Sequence, residues 1–228
     1  MKNLIRDNRG LLVFLLLFGL FRTAVADWNP IPSGSMRPSL LEGDVAFVNR
    51  LAYDLKLPLT DIILVHTGEP RRGDIITFSS PRDGTRLIKR VIALPGDKVE
   101  MRDKALIING QAAGYDALGT VMERLGDGAH GRNSVTTRAL RLTEQVGQER
   151  HTIQWLAGVN SMDNFGPLMI PADQFLVLGD NRDNSADSRY IGLVPRHLLI
   201  GRAVRILVSA DIQGNWLPRF ERFGMRLN

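Results

Sequence analysis

The chain has 228 residues, 44% of them hydrophobic and 23% charged, with a net charge of +5. That balance suits one folded domain, or one carrying a smaller insert, and excludes disorder throughout. There is no cysteine, which rules out disulfides, thiolate-ligated zinc and thiol catalysis. The basic excess suits contact with anionic lipid or with nucleic acid. No helix-turn-helix, zinc-finger or RNA-binding signature accompanies it, so nucleic acid is not an expected partner.

Residues 1–10 carry Lys2, Arg6 and Arg9 against Asp7, and an apolar run extends from Leu11 to Phe21. Two readings compete here. One is a cleaved secretory signal with Ala24-Val25-Ala26 as a small-x-small cleavage site. The other is a transmembrane anchor over residues 11–27, with Arg22 snorkelling and Trp28 in the interfacial belt. Both leave residues 1–10 in the cytoplasm and export the chain beyond residue 28. The motifs further along favour the anchor.

Beyond Trp28 the chain reads as mainly β. Val45–Arg50, Asp74–Phe78, Leu87–Leu94, Ala105–Asn109, Gln174–Leu178 and Arg202–Val208 are short, rich in β-branched or apolar residues, and bounded by turn formers. Leu51–Leu57 has room for a short helix. Residues 111–164 are polar, rich in Gly and Arg, and weakly periodic. They read as an insert or cap on a domain made of 28–110 and 165–228. The tail from Gly214 alternates apolar and arginine residues, which fits a membrane interface or simple packing on the domain edge.

Three stretches carry chemistry. In Pro30-Ile-Pro-Ser-Gly-Ser-Met-Arg-Pro-Ser-Leu40, Ser33 and Ser35 flank Gly34. Taken alone this is a turn with hydroxyls, and a serine nucleophile needs a base beside it. His66, His130, His151 and His197 fall in no familiar protease motif, and neither Gly-x-Ser-x-Gly nor Ser-x-x-Lys occurs.

Lys89 lies in the apolar strand Arg86-Leu-Ile-Lys-Arg-Val-Ile-Ala-Leu94, where alternation sets Leu87, Lys89, Val91 and Ala93 on one face. Burial there lowers an amine's pKa. From an ordinary value of about 10.4, holding the amine neutral at pH 7 costs about 4.6 kcal/mol. A lysine that snorkels from an edge strand is the plainer alternative.

The third stretch is Gly179-Asp-Asn-Arg-Asp-Asn-Ser-Ala-Asp-Ser-Arg189. It fails as a calcium loop, because Ser188 stands where the sixth position from Asp183 needs Gly. It is otherwise a polar turn after an apolar strand, able to hydrogen-bond around a site.

Together these stretches resemble bacterial type I signal peptidases, over the anchor, Ile31–Asp44, Arg72–Phe78, Ile88–Val99 and Gly179–Val204. The resemblance implies a signal-peptidase-like antiparallel β-sheet domain with a smaller inserted segment, preceded by one N-terminal transmembrane helix. It implies a serine endopeptidase with Ser35 as nucleophile and Lys89 as general base. Ser33 and the Ser35 N–H would form the oxyanion hole. Ser185 would hydrogen-bond Lys89, and Asp187 and Arg189 would form a supporting ion pair. Ile31, Met36, Leu40 and Ile88 match positions that line shallow substrate pockets, while Leu87 departs from the aromatic residue of some relatives.

No cofactor or metal is expected. The implied partners are the signal peptides of secreted preproteins, cut after Ala-x-Ala sites, and the lipid bilayer. The implied location is the bacterial inner membrane, with the catalytic domain on its outer side. A conjugative pilin-processing peptidase and an inactive membrane-anchored scaffold are the alternatives. Ala24-Val25-Ala26 also raises self-cleavage.

Overall fold

A computed structural model describes residues 8–57, 60, 62–125 and 135–227. Helix α1 (Arg9–Ala24) opens the described chain. Its apolar run contains no proline, and Phe14 and Phe18, one turn apart, stack at 6.0 Å. The helix stops short of the expected 11–27 span, because Ala26 and Asp27 already belong to strand β1 (Ala26–Pro30). Sixteen residues rise about 24 Å, less than the roughly 30 Å hydrocarbon core. Among the described residues, no helix is long and apolar enough to cross a membrane.

The helix joins the sheet through Asp27. This buried carboxylate accepts hydrogen bonds from Arg22 Nε at 3.2 Å and from an Arg86 guanidinium nitrogen at 2.9 Å. The Arg22 guanidinium also lies 4.2 Å from the Trp28 ring centre. The Ala26–Asp27 bond that self-cleavage would cut lies within β1, with both residues buried and paired to Asn49 and Val48.

The remaining strands are β2 (Asp44–Asn49), β3 (Asp54–Lys56), β4 (Ile63–His66), β5 (Ile75–Ser79), β6 (Arg86–Ala93), β7 (Lys98–Arg102), β8 (Ala105–Ile108) and β9 (Gln111–Ala112). They continue as β10 (Gly114–Leu125), β11 (Val135–Val146), β12 (Glu149–Leu156), β13 (Phe165–Met169), β14 (Gln174–Leu178), β15 (Val194–Pro195) and β16 (Leu199–Ser209). The segment Leu51–Leu57 is not a helix. A 3-10 turn over Arg50–Ala52 runs into β3, capped by Asn49, whose side chain accepts the Leu51 N–H.

The main sheet has the order β1-β2-β16-β5-β6-β14-β15 and every pairing in it is antiparallel. A second sheet, β13-β7-β8-β9, stands beside it. Strands β10, β11 and β12 form a separate three-stranded sheet within 111–164. The strands expected from the sequence match β2, β5, β6, β8, β14 and β16 within three residues at each end.

Three apolar clusters hold these sheets. Ile31, Met36, Leu40 and Ile88 pack with β2, β5 and β16 residues. Phe78, Val91, Phe175 and Leu199 fill a second cluster, and Val99, Leu106, Ile170 and Leu178 a third. Strand β6 is buried over nearly its whole length, on both faces. That dual burial sets the environment of Lys89 and Arg90.

Candidate active site

Ser35 sits at the centre of a 3-10 turn, Gly34–Met36, between β1 and β2. The turn closes with Arg37 N–H donating to Gly34 O at 3.1 Å, a bond that leaves the Ser35 N–H out of the turn's own pairing. Met36 and Leu40 drop into the core beneath the turn and fix it from below. Ile31 ties its entry to β2, donating to Asp44 O at 2.8 Å and accepting from Gly43 at 3.0 Å.

Strand β6 brings Lys89 to this turn. Lys89 Nζ lies 2.7 Å from Ser35 Oγ and donates to Ile88 O at 2.9 Å. The side chain is buried. Burial pushes the amine down to about 8, against the opposing pull of Asp187 and Asp180. Ser35 itself is half-buried, open on one side to a cleft of about 370 Å³. Ser33, Leu87, Lys89, Arg124 and Asn181 line the cleft with it.

The 179–189 loop packs directly behind Ser35. Gly179 is needed there, since a Cβ would stand 2.5 Å from the Ser35 carbonyl oxygen and 2.2 Å from Ser185 Oγ. Asn181 donates twice to the serine turn, from its N–H to Ser35 O at 3.1 Å and from Nδ2 to Gly34 O at 3.0 Å. Asp187 and Arg189 form a buried ion pair at 2.8 Å, and Asp187 also accepts from Gly179 N–H at 3.0 Å.

Two expectations differ from what the structure holds. Ser185 Oγ is buried beside Gly179 and makes no hydrogen bond, so the expected bond to Lys89 is not formed. The amine's hydrogen-bond partners among the described residues are Ser35 and the Ile88 carbonyl. Ile31, Met36, Leu40 and Ile88 are core residues, none of them on the cleft wall. Met36 points inward from the turn and packs with Ile31, Leu40 and Ile88 in one buried cluster, and Leu87 supplies the apolar wall.

Several contributors were missed in the sequence. Arg90 turns away from Lys89 and forms a buried bidentate pair with Asp180, at 2.9 and 2.8 Å. Arg90 holds the Asp180 carboxyl below its ordinary range, against the upward push of burial. Arg182 donates to both carboxylate oxygens of Glu144, and His151 Nε2 is 3.1 Å from one of them. Burial pushes Glu144 up, but Arg182 and His151 together hold it far down. Arg37 pairs with Glu42 at 2.7 Å and with Glu123 of β10. An arginine directly after Lys89 in an apolar strand was the one visible signal among these.

A serine hydroxyl against a desolvated, neutralisable amine can be deprotonated without histidine. With an open cleft on the serine's far side, the arrangement suits acyl transfer.

Comparison with known proteins points the same way. Residues 5–208 match the family described as "Signal peptidase, peptidase S26". A signal peptidase I of Pseudomonas fluorescens is 33% identical over 236 residues, covering 97% of this chain and 79% of its own. One from Leptolyngbya laminosa is 36% identical over 203 residues, covering 86% and 74%. A solved signal peptidase I from Enterococcus faecalis V583 aligns at 34% identity over 59% of this chain and 96% of its own, with a TM-score of 0.34. The match across most of its length means that this chain belongs to the signal peptidase family, peptidase S26.

Proposed function

We propose that Ser35 and Lys89 perform the family's reaction, in which a serine peptidase removes signal peptides from preproteins. The observation that carries this reading is the 2.7 Å approach of Lys89 Nζ to Ser35 Oγ, with the amine buried and its proton affinity lowered. Neutral Lys89 accepts the Ser35 proton as Oγ bonds to the scissile carbonyl carbon. The resulting ammonium returns that proton to the leaving amine as the C–N bond breaks. Water then gives a proton to Lys89 and attacks the ester, and Ser35 Oγ recovers its proton as the acyl group leaves.

The oxyanion that forms in each step needs donors. The Ser35 N–H, unused by its turn, is one, and the Ser33 hydroxyl at the cleft rim is the other. Losing one such donor costs about 10²–10³ in rate, which sets the expectation for Ser33→Ala. Asp187–Arg189 holds the 179–189 loop behind the serine, and Ser185 fills the space next to Gly179. Ile31, Met36, Leu40 and Ile88 support the substrate strand from beneath, with Leu87 beside it. The apolar wall that Leu87 gives the cleft suits small side chains at −1 and −3.

Residues 28–110 and 165–228 serve as the catalytic unit, and 111–164 as a cap that lends Arg124 and Leu125 to the cleft. The N-terminal segment works as a membrane anchor, with the catalytic unit outside the cytoplasm. Its support is the row of exposed Leu11, Leu12, Phe14, Leu15, Leu17 and Phe18 on α1. Ser35 comes eight residues after Asp27, which keeps the nucleophile close to the bilayer surface.

The test is cleavage of a preprotein with an Ala-x-Ala site, read by N-terminal sequencing of the product. A new N-terminus directly after the small −1 residue supports the reading. A folded protein that leaves every preprotein intact, or cuts only a pilin precursor, contradicts it.

A further inference from the structure

On the opposite side of β6 from Lys89, a second cleft of about 520 Å³ lies between the β5 approach, the start of β12 and β16. Arginine dominates its lining. Arg72 and Arg202 are spoken for by Asp97 at 2.9 Å and Asp74 at 3.4 Å, and Arg150 by Asp116 at 3.1 Å. Arg71, Arg205 and Arg226 also line it, and among the described residues their side chains meet no carboxylate. The acids on the wall are Asp74 and Glu149.

The geometry at Arg205 and Arg226 is unusual. Residues 224–227 run alongside β16, with Ile206 N–H donating to Met225 O at 2.9 Å and Leu227 N–H to Val204 O at 3.0 Å. This pairing sets Arg205 directly opposite Arg226 on an antiparallel bridge. Opposed positions there hold their Cβ atoms about 5 Å apart, and like charges so placed destabilise the pairing. A chain that needed only this edge contact has no use for two guanidinium groups facing one another. An anion between them turns the repulsion into two charge-assisted hydrogen-bonding partners.

We propose that this cleft binds a phosphate-bearing anion between Arg205 and Arg226, with Arg71 at its rim. The site is separate from the serine–lysine cleft and shares no lining residue with it. The ligand is a phosphate monoanion or dianion, either free or as the phosphodiester of an anionic lipid. Phe220 and Phe223, a few residues ahead of Arg226, are exposed apolar side chains of the kind that meet a lipid surface.

The experiment is calorimetric titration of the full chain in a neutral sugar detergent. The probes are inorganic phosphate, short-chain phosphatidylglycerol below its micelle concentration, and short-chain phosphatidylcholine as the zwitterionic control. Wild type is compared with Arg205→Gln/Arg226→Gln and with Arg82→Gln, an exposed arginine outside the cleft. Binding of phosphate or phosphatidylglycerol that falls about tenfold or more in the double variant, and stays in Arg82→Gln, supports the site. Saturation by inorganic phosphate identifies a free anion, and binding of phosphatidylglycerol alone identifies a headgroup. Absence of binding by both, or equal binding by wild type and double variant, overturns the proposal. So does an equal loss in Arg82→Gln. Thermal melting provides the second reading. The probe that binds in the titration should raise the Tm of wild type and leave that of the double variant unmoved, and equal shifts in both contradict the site.

Discussion

Arg90 grips Asp180 through two hydrogen bonds on the side of β6 that faces away from Lys89. Consecutive residues of one strand thus have opposite assignments. Lys89 approaches the serine turn, and Arg90 locks the loop that backs that turn. The loop then reaches Ser35 through Gly179 and Asn181, so one buried ion pair fixes both halves of the site relative to β6.

The lowered amine sets the pH dependence. With Lys89 at about 8, about a tenth of molecules hold it neutral at pH 7, against roughly one in three thousand for an ordinary lysine. The base is the deprotonated form, so kcat/KM should rise with pH and level off above about 8. A rate flat between pH 6 and 9 contradicts that assignment.

The same burial has a cost in stability. Lowering Lys89 from 10.5 to about 8 corresponds to about 3 kcal/mol at neutral pH. Between the two values the unfolded chain binds more protons than the folded one, so this penalty fades as pH rises from 8 to 10.5. Lys89→Met should therefore melt higher than wild type at pH 7, with the difference shrinking over that window. Melting curves of both proteins across pH 7–10.5 check this.

The expected strands were legible wherever burial was one-sided or continuous, as in β2, β5, β14 and β16. Lys89 was legible because an ammonium in an apolar strand breaks the pattern. Strands β10, β11 and β12 were not. Most of β10 faces solvent on both sides, so its alternation is weak. The buried face of β11 includes Glu144, which reads as polar but is buried against Arg182. Charge pairing in the interior hides strands from a hydropathy pattern. The side-chain contacts of Ser185 and of the four apolar residues under the turn depend on rotamers and close approach, which spacing does not encode.

Arg182 and Glu144 join the 179–189 loop to β11 with both side chains buried. Removing one partner leaves a buried charge, at a cost of about 3–5 kcal/mol. Arg182→Met should lower stability by that amount in denaturant unfolding. Replacing both, as Arg182→Met/Glu144→Leu, should recover much of the loss. A single variant as stable as wild type contradicts the pairing.

Asn181 holds two consecutive carbonyls of the serine turn, only one of them by its side chain. Asn181→Ala removes one of the two bonds to Gly34 O, which keeps the Arg37 N–H, and costs about 0.5–1.5 kcal/mol. The looser turn misplaces Ser35, so kcat should fall by about tenfold or more, with KM little changed. Steady-state kinetics on one preprotein separate these. A change confined to KM indicates a substrate contact instead.

Lys89 as the base for Ser35 is tested by comparing Ser35→Ala and Lys89→Ala with wild type on a single preprotein, after circular dichroism shows each to be folded. Cleavage should fall to background in both variants. Cleavage lost in Ser35→Ala and retained in Lys89→Ala would contradict the dyad, because another group would then be taking the serine proton.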